Sequence, residues 1–262
     1  MQAILCQPAS VWEDKAATLA RVWQLLESTT IAPGSLIVLP EMFATGFSMQ
    51  TAATAEPSGG PTEQFLGQLA DRHDCCVLAG LVTTDGPAAR NQAIAIAPGG
   101  TVRARYTKQR PFSLAQEADS HDAGTETVVF EWGGFQIAPL ICYDLRFPEL
   151  FRQATAAGAT LCAVIASWPA PRHHHWRTLL MARAIENQAC VLGVNRAGQD
   201  PQHHYAGGSL ALDSQGTVLA EASDRECVVS THLNPAAVHA WRQSFPALRD
   251  AGLAGSWRPK NK

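Results

Sequence analysis

No stretch of the 262 residues approaches the roughly 18 consecutive apolar positions of a membrane-spanning helix, so a transmembrane protein is not expected. Charge is scarce as well. Asp, Glu, Lys and Arg make up 16% of the chain and the formal net charge is -3, which argues against attraction to nucleic acid or an anionic membrane. C-x-x-C pairs and an H-E-x-x-H motif are missing, so no metal site is expected. The three successive histidines at 173–175 do not replace one, because neighbouring side chains on a helix point roughly 100° apart and cannot converge on a single ion. Nor is a charged leader with a cleavage site read before the first strand-like run, so a cytoplasmic protein is the expectation. The seven cysteines are odd in number and lie mostly in apolar segments, as expected of reduced thiols rather than a disulfide framework. What the chain does have is a core: 46% of it is hydrophobic, too much for a disordered protein. A small-molecule partner is the expectation.

Twelve short apolar runs read as strands, beginning at 3–6, 35–39 and 76–82, continuing through 92–97, 101–106, 127–131, 135–141 and 160–166, and ending at 190–195, 209–213, 217–220 and 227–232. Helical patterns alternate with them. Ser10 and Glu13 form an S-x-x-E box ahead of Ala16, Leu19, Ala20, Trp23 and Leu26; Pro61 opens a second helix; Asp144 with Pro148 opens a third; a fourth covers 174–188. Tight turns at 96–101 and 212–217 read as hairpins among the crossovers, so the sheets should be mixed. Buried sheet faces need cover, which two sheets packed face to face with helices outside would supply. No repeat or linker divides the chain, so a single domain over 1–262 is expected, with the Thr-, Ala-, Ser- and Gly-rich loop at 44–60 lying over a site.

Three positions stand out chemically. Cys142 ends the apolar run 135–141 where a helix is predicted to begin, an elbow whose unpaired N–H groups and helix dipole would favour thiolate. Glu41 follows the buried run 35–39, where desolvation would raise its pKa toward that of a useful base. Lys108 follows the run 101–106, a cation at another strand end.

With L-P-E at 39–41, Y-x-K at 106–108 and C-Y-D-L-R-F-P-E at 142–149, the chain resembles the nitrilase superfamily of carbon-nitrogen hydrolases along nearly its whole length. The resemblance implies a four-layer α-β-β-α sandwich, a Glu-Lys-Cys triad of Glu41, Lys108 and Cys142, and a second glutamate at Glu117. It implies a homodimer and no cofactor. The family roles make Glu41 the base, Cys142 the nucleophile, and Lys108 with the backbone N–H of Tyr143 the oxyanion donors. One departure is Arg110-Pro111, where related amidases often carry His-Leu. True nitrilases usually follow the cysteine with Trp-Glu, and here Tyr143-Asp144 stands instead.

The segment 167–172, Ser-Trp-Pro-Ala-Pro-Arg, looks like the omega-amidase branch, which implies hydrolysis of the terminal amide of 2-oxoglutaramate and 2-oxosuccinamate. Another amidase, or an N-carbamoyl amidohydrolase, is the alternative on the same scaffold. Arg172 is the first candidate for holding the substrate carboxylate, with Arg110 and Arg146 as rivals; as a helix-start arginine it would simply be exposed. Arg183 and Glu186, in the widely shared A-R-A-I-E-N segment, are expected to pair for structural reasons.

Overall fold

The computed structural model describes residues 1–84 and 88–253. The first half runs β1 (Gln2–Gln7), α1 (Lys15–Glu27), β2 (Leu36–Val38), the single turn α2 (Thr51–Thr54), α3 (Pro61–His73), β3 (Cys76–Thr83), β4 (Arg90–Ala97) and β5 (Thr101–Thr107). Then follow β6 (Phe130–Trp132), β7 (Phe135–Ile141), α4 (Pro148–Ala156), β8 (Leu161–Ala166), α5 (His173–Asn187) and β9 (Cys190–Asn195). The chain ends with β10 (Ala197–Gln199), β11 (His204–Ala206), β12 (Leu210–Leu212), β13 (Val218–Glu221), β14 (Cys227–His232), α6 (Pro235–Ser244) and α7 (Ala247–Asp250).

Two six-stranded sheets result, ordered β14-β1-β2-β3-β4-β5 and β13-β12-β9-β8-β7-β6, and β10 pairs with β11 in a separate ribbon. Both sheets are mixed. Helical crossovers leave β1, β2 and β3 parallel, and likewise β7, β8 and β9; the pairs β3–β4, β4–β5, β6–β7 and β12–β13, consecutive in sequence, are antiparallel, as are β1 with β14 from the far end of the chain and β9 with β12.

Period-two alternation builds the layers. Leu5, Val38 and Leu78 of the first sheet meet Ile141, Ile165 and Val194 of the second in a dry inter-sheet core. Their sequence neighbours point the other way: Ile4, Ile37 and Val77 pack on Val22 and Leu26 of α1 and Leu66 of α3. On the far side, Leu140, Val164 and Val191 pack on Phe151 of α4 and Trp176 and Leu180 of α5. Both faces of each central strand are therefore covered, which is why these strands read as unbroken apolar runs. The architecture is the four-layer α-β-β-α sandwich that the resemblance implied.

Some local expectations need correction. Ser10 does not cap α1; Asp14 does, accepting the Ala17 N–H at 2.9 Å, while Glu13 turns away to accept from Ser48 Oγ. Asp144 does not open an α-helix, because residues 142–146 form a tight 3-10 turn and α4 begins at Pro148. Of the run 127–131 only Phe130 and Glu131 are strand, in an element that extends to Trp132. The ribbon and α6 were not anticipated. The ribbon strands are three residues each and partly polar, too short for a periodic signal, but Asn234 and Pro235 are a helix-start pair present in the sequence, and Asn234 Oδ1 does accept the Ala236 N–H.

Candidate active site

The C-terminal ends of β2 and β5 in one sheet meet those of β7 and β8 in the other, and β4, antiparallel to β5, starts at the same edge. Glu41, Lys108, Cys142 and Ser167 leave these four strand ends, and Asn91 sits at the start of β4. Glu41 is brought in by a tight approach to β3. Gly80 N–H donates to the Pro40 carbonyl and Phe43 N–H to the Gly80 carbonyl, and a Cβ at residue 80 would stand 2.6 Å from the Glu41 Cα. Only glycine fits there.

Glu41, Lys108 and Glu117 are buried and form one hydrogen-bonded network. Lys108 Nζ lies 2.8 Å from Glu41 Oε1 and 2.8 Å from Glu117 Oε2. Asn91 Nδ2 donates to both carboxylates, at 2.8 Å to Glu41 Oε1 and 2.8 Å to Glu117 Oε1. The Ser167 N–H donates to Glu41 Oε2 at 2.9 Å, and the Phe112 N–H to Glu117 Oε2 at 2.6 Å. Burial alone would discharge the ammonium, but the two carboxylates outweigh it and hold the Lys108 pKa above its ordinary value. Burial would likewise raise Glu117, and Lys108 with the Asn91 and Phe112 donors brings it below the usual range instead. Of Glu41's acceptor positions, the remaining free one is on Oε2, since Oε1 already receives two donors.

Cys142 occupies the elbow after β7 with φ +47°, a left-handed conformation that costs a non-glycine residue on the order of 1–3 kcal/mol. Its sulfur is 4.0 Å from the Ser167 carbonyl. Burial, and next the Glu41 carboxylate, push the thiol well above its ordinary pKa, with Lys108 only partly opposing them. Both influences work against the thiolate expected from the sequence. Nor does the predicted α-helix start at the elbow to oppose them: residues 142–146 form a 3-10 turn, and α4 starts six residues after Cys142.

Above this network lies a cavity of about 310 Å³ that reaches Cys142 and Ser167. Phe47, Ser48, Met49 and Gln50 of the loop at 44–60 form part of its wall, the place expected for that loop. Arg146 and Arg172 both line it, and among the described residues no carboxylate does. Their guanidiniums are carried on aromatic rings, Arg146 4.8 Å from the Trp168 ring centre and Arg172 5.6 Å from that of Phe112, and neither forms an ion pair among the described residues. Arg172 is half-buried rather than a free surface residue. Arg110 is elsewhere, stacked on Phe147 and 3.6 Å from Glu149. The Tyr143 ring packs between Phe112 and Phe147, leaving its backbone N–H in the first turn of the elbow, where helical groups have no partner of their own. Among the described residues no cluster of three or more His, Cys, Asp or Glu could hold a metal ion.

Residues 2–243 match the family model described as carbon-nitrogen hydrolase. The chain belongs to that family. It is 39% identical to the omega-amidase YafV of Yersinia enterocolitica, over 95% of this chain and 96% of that one. To the 2-oxoglutaramate amidase of Bacillus subtilis it is 36% identical, over 82% and 84% of the two chains. Among solved structures, a CN-hydrolase superfamily protein of Xanthomonas campestris, with an arsenic adduct in its active site, superposes with a TM-score of 0.89 at 34% identity, covering 95% of this chain and 96% of the other.

Within this family frame, all four buried or elbow residues singled out from the sequence converge: Glu41, Lys108, Glu117 and Cys142 share one site. Asn91 and Ser167 escaped notice as functional residues. Asn91-Gln92 interrupts the otherwise apolar run of β4, a polar pair at a core strand's start that could have been flagged. Nothing in the sequence marks the Ser167 main-chain N–H. His203, given no role, also lines the cavity. Arg183 and Glu186 pair at 2.7 Å, and Arg183 additionally donates to the Leu145 carbonyl, tying α5 to the elbow.

Proposed function

We propose that this protein is an omega-amidase that releases ammonia from the terminal amide of short 2-oxo acids such as 2-oxoglutaramate and 2-oxosuccinamate. The observation that carries this is the cavity: it joins a cysteine beside a carboxylate-ammonium network to two guanidiniums that have no carboxylate partner among the described residues, a layout suited to an amide at one end and an anion at the other. The omega-amidase and 2-oxoglutaramate amidase names of relatives at 36–39% identity agree with it.

In the proposed reaction the Cys142 sulfur attacks the amide carbon while its proton passes to Glu41 Oε2. The oxyanion is met by the Lys108 ammonium and the Tyr143 N–H. The C–N bond breaks as Glu41 returns the proton to the leaving nitrogen, giving ammonia and a thioester on Cys142. Water, deprotonated by Glu41, then attacks the thioester, the C–S bond breaks, and the thiol regains the proton. A resting thiol rather than a thiolate makes this base indispensable, and Glu41 is held by three donors for the purpose. Glu117 keeps Lys108 charged and in place. Neither a metal nor an organic cofactor enters any step. Arg172 takes the substrate carboxylate, with Arg146 the neighbouring cation. The matched region and the continuous inter-sheet core support one catalytic domain over 1–262, and the family resemblance extends the proposal to a cytoplasmic homodimer.

The test is ammonia release from 2-oxoglutaramate and 2-oxosuccinamate compared with simple aliphatic amides and N-carbamoyl amino acids, with Cys142→Ala as the blank. The 2-oxo acid amides should lead in kcat/KM and the blank should be silent. Preference for N-carbamoyl compounds would replace this reading with the carbamoylase alternative.

A further inference from the structure

Asp144 is fully buried two residues beyond Cys142, and none of the reacting steps above uses it. Three donors surround its carboxylate. Oδ2 accepts from the Ile141 N–H at 3.0 Å and from the Tyr106 hydroxyl at 2.8 Å; Oδ1 accepts from the Arg110 N–H at 3.0 Å. The identity of these partners matters more than their number. Tyr106 and Arg110 bracket Lys108, two residues before it and two after. Ile141 immediately precedes Cys142. One side chain therefore ties the end of β5, in the first sheet, to the end of β7, in the second, across the seam where ammonium and sulfur must meet.

Two further facts show that this is more than packing. A carboxylate in the interior is costly unless its hydrogen bonds are complete, and an apolar side chain would fill the same volume without that cost. The residue it adjoins, Cys142, holds φ +47°, and a strained backbone of this kind persists only where its surroundings over-determine it. The Ile141–Asp144 bond closes the turn around that residue.

We infer that Asp144 is a positioning residue for amide hydrolysis, setting the Lys108 ammonium against the Cys142 sulfur and holding the left-handed elbow. This rests on the roles proposed above for Cys142 and Lys108, but not on the choice of substrate. Asp144→Asn is the direct probe. A carboxamide has a single oxygen, so in either orientation one backbone N–H, that of Ile141 or of Arg110, loses its acceptor. Tyr106→Phe is the gentler one, removing only the hydroxyl tie to β5 and leaving both backbone bonds in place.

The measurements are kcat and KM for whichever amide the wild-type enzyme turns over best, the rate at which iodoacetamide alkylates Cys142 located by mass spectrometry, and thermal unfolding. Asp144→Asn should lower kcat on the order of 10²-fold with KM within about threefold, and Tyr106→Phe should lower it about tenfold with KM kept. Alkylation should slow in both. Wild-type kcat and alkylation in Tyr106→Phe would overturn the inference, even if Asp144→Asn failed to fold. So would losses confined to KM or to thermal stability. If the wild type ignores 2-oxoglutaramate but hydrolyses another amide with the same variant pattern, the substrate assignment falls and the role of Asp144 stands.

Discussion

Replacing Glu41 with glutamine should separate two properties that a simple inactivation would move together. In the native site Oε1 receives Lys108 Nζ and Asn91 Nδ2, each at 2.8 Å, and Oε2 receives the Ser167 N–H at 2.9 Å. A carboxamide with its nitrogen at the Oε1 position would set that NH₂ against an ammonium and another amide donor, two repulsive contacts. The reverse orientation keeps both of those bonds and loses one. It places the NH₂ at the Oε2 position, where the thiol proton has to go. The variant should therefore fold and lack its base, losing about 10²- to 10⁴-fold in turnover, or about 3–5 kcal/mol of barrier. The thiol should respond in the opposite sense. After burial, the Glu41 charge is the main influence holding Cys142 protonated, so its removal lets thiolate form at lower pH. Ammonia release at neutral pH and the pH dependence of Cys142 alkylation read the two effects separately. Turnover within tenfold of wild type, or an alkylation profile that does not move to lower pH, would refute the assignment of Glu41 as base.

Lys108→Ala and Lys108→Arg should both lose at least about 10²-fold in kcat, because a planar guanidinium cannot occupy the point between two carboxylates that each lie 2.8 Å from Nζ; near-normal rates for either would remove the lysine from the mechanism. Arg172→Ala should raise KM on the order of tenfold while changing kcat less, since a group remote from the scissile carbon binds ground and transition states alike; an unchanged KM would transfer the role to Arg146. Gly80→Ala should cut kcat while leaving every proposed reacting side chain chemically unchanged, because its methyl would stand 2.6 Å from the Glu41 Cα and push that residue out of place; wild-type activity would show that this approach can relax. Stability should also carry a signature of Asp144, whose pKa burial raises from 3.8 to about 6. The native state then binds a proton more tightly than the unfolded chain, so this stabilisation is fully present below 3.8 and is lost as pH rises through about 6, a difference of about 3 kcal/mol. Urea unfolding at pH 4.5 and pH 7 should accordingly show wild type gaining on Asp144→Asn at the acidic pH, and equal gaps at both would contradict a buried, raised carboxyl.

The amino-acid sequence by itself determined the layers and singled out the residues proposed to react. Strands buried on both faces are apolar over most of their length, so runs such as 135–141 and 190–195 are legible to the residue, and the number of such runs already called for two covered sheets. Glu41, Lys108 and Cys142 are legible because a polar residue directly after such a run is conspicuous, and because each stands in a motif that resembles a known family. Local signals failed where two candidates competed over a few residues, as with Ser10 and Asp14 at the start of α1. What only the tertiary structure decided is everything that depends on distance across the chain. Glu41 and Ser167 are 126 positions apart, and no sequence pattern announces that a backbone N–H of one strand end caps the carboxylate of another. The protonation of Cys142 belongs to the same class: position along the chain suggested a helix dipole and a thiolate, but burial and the Glu41 charge, both consequences of how the two sheets meet, set it the other way. Asp144 shows the division most plainly. In the sequence it looks like a helix-opening residue, and only the packing of β5 against β7 turns its carboxylate into a link between Lys108 and Cys142.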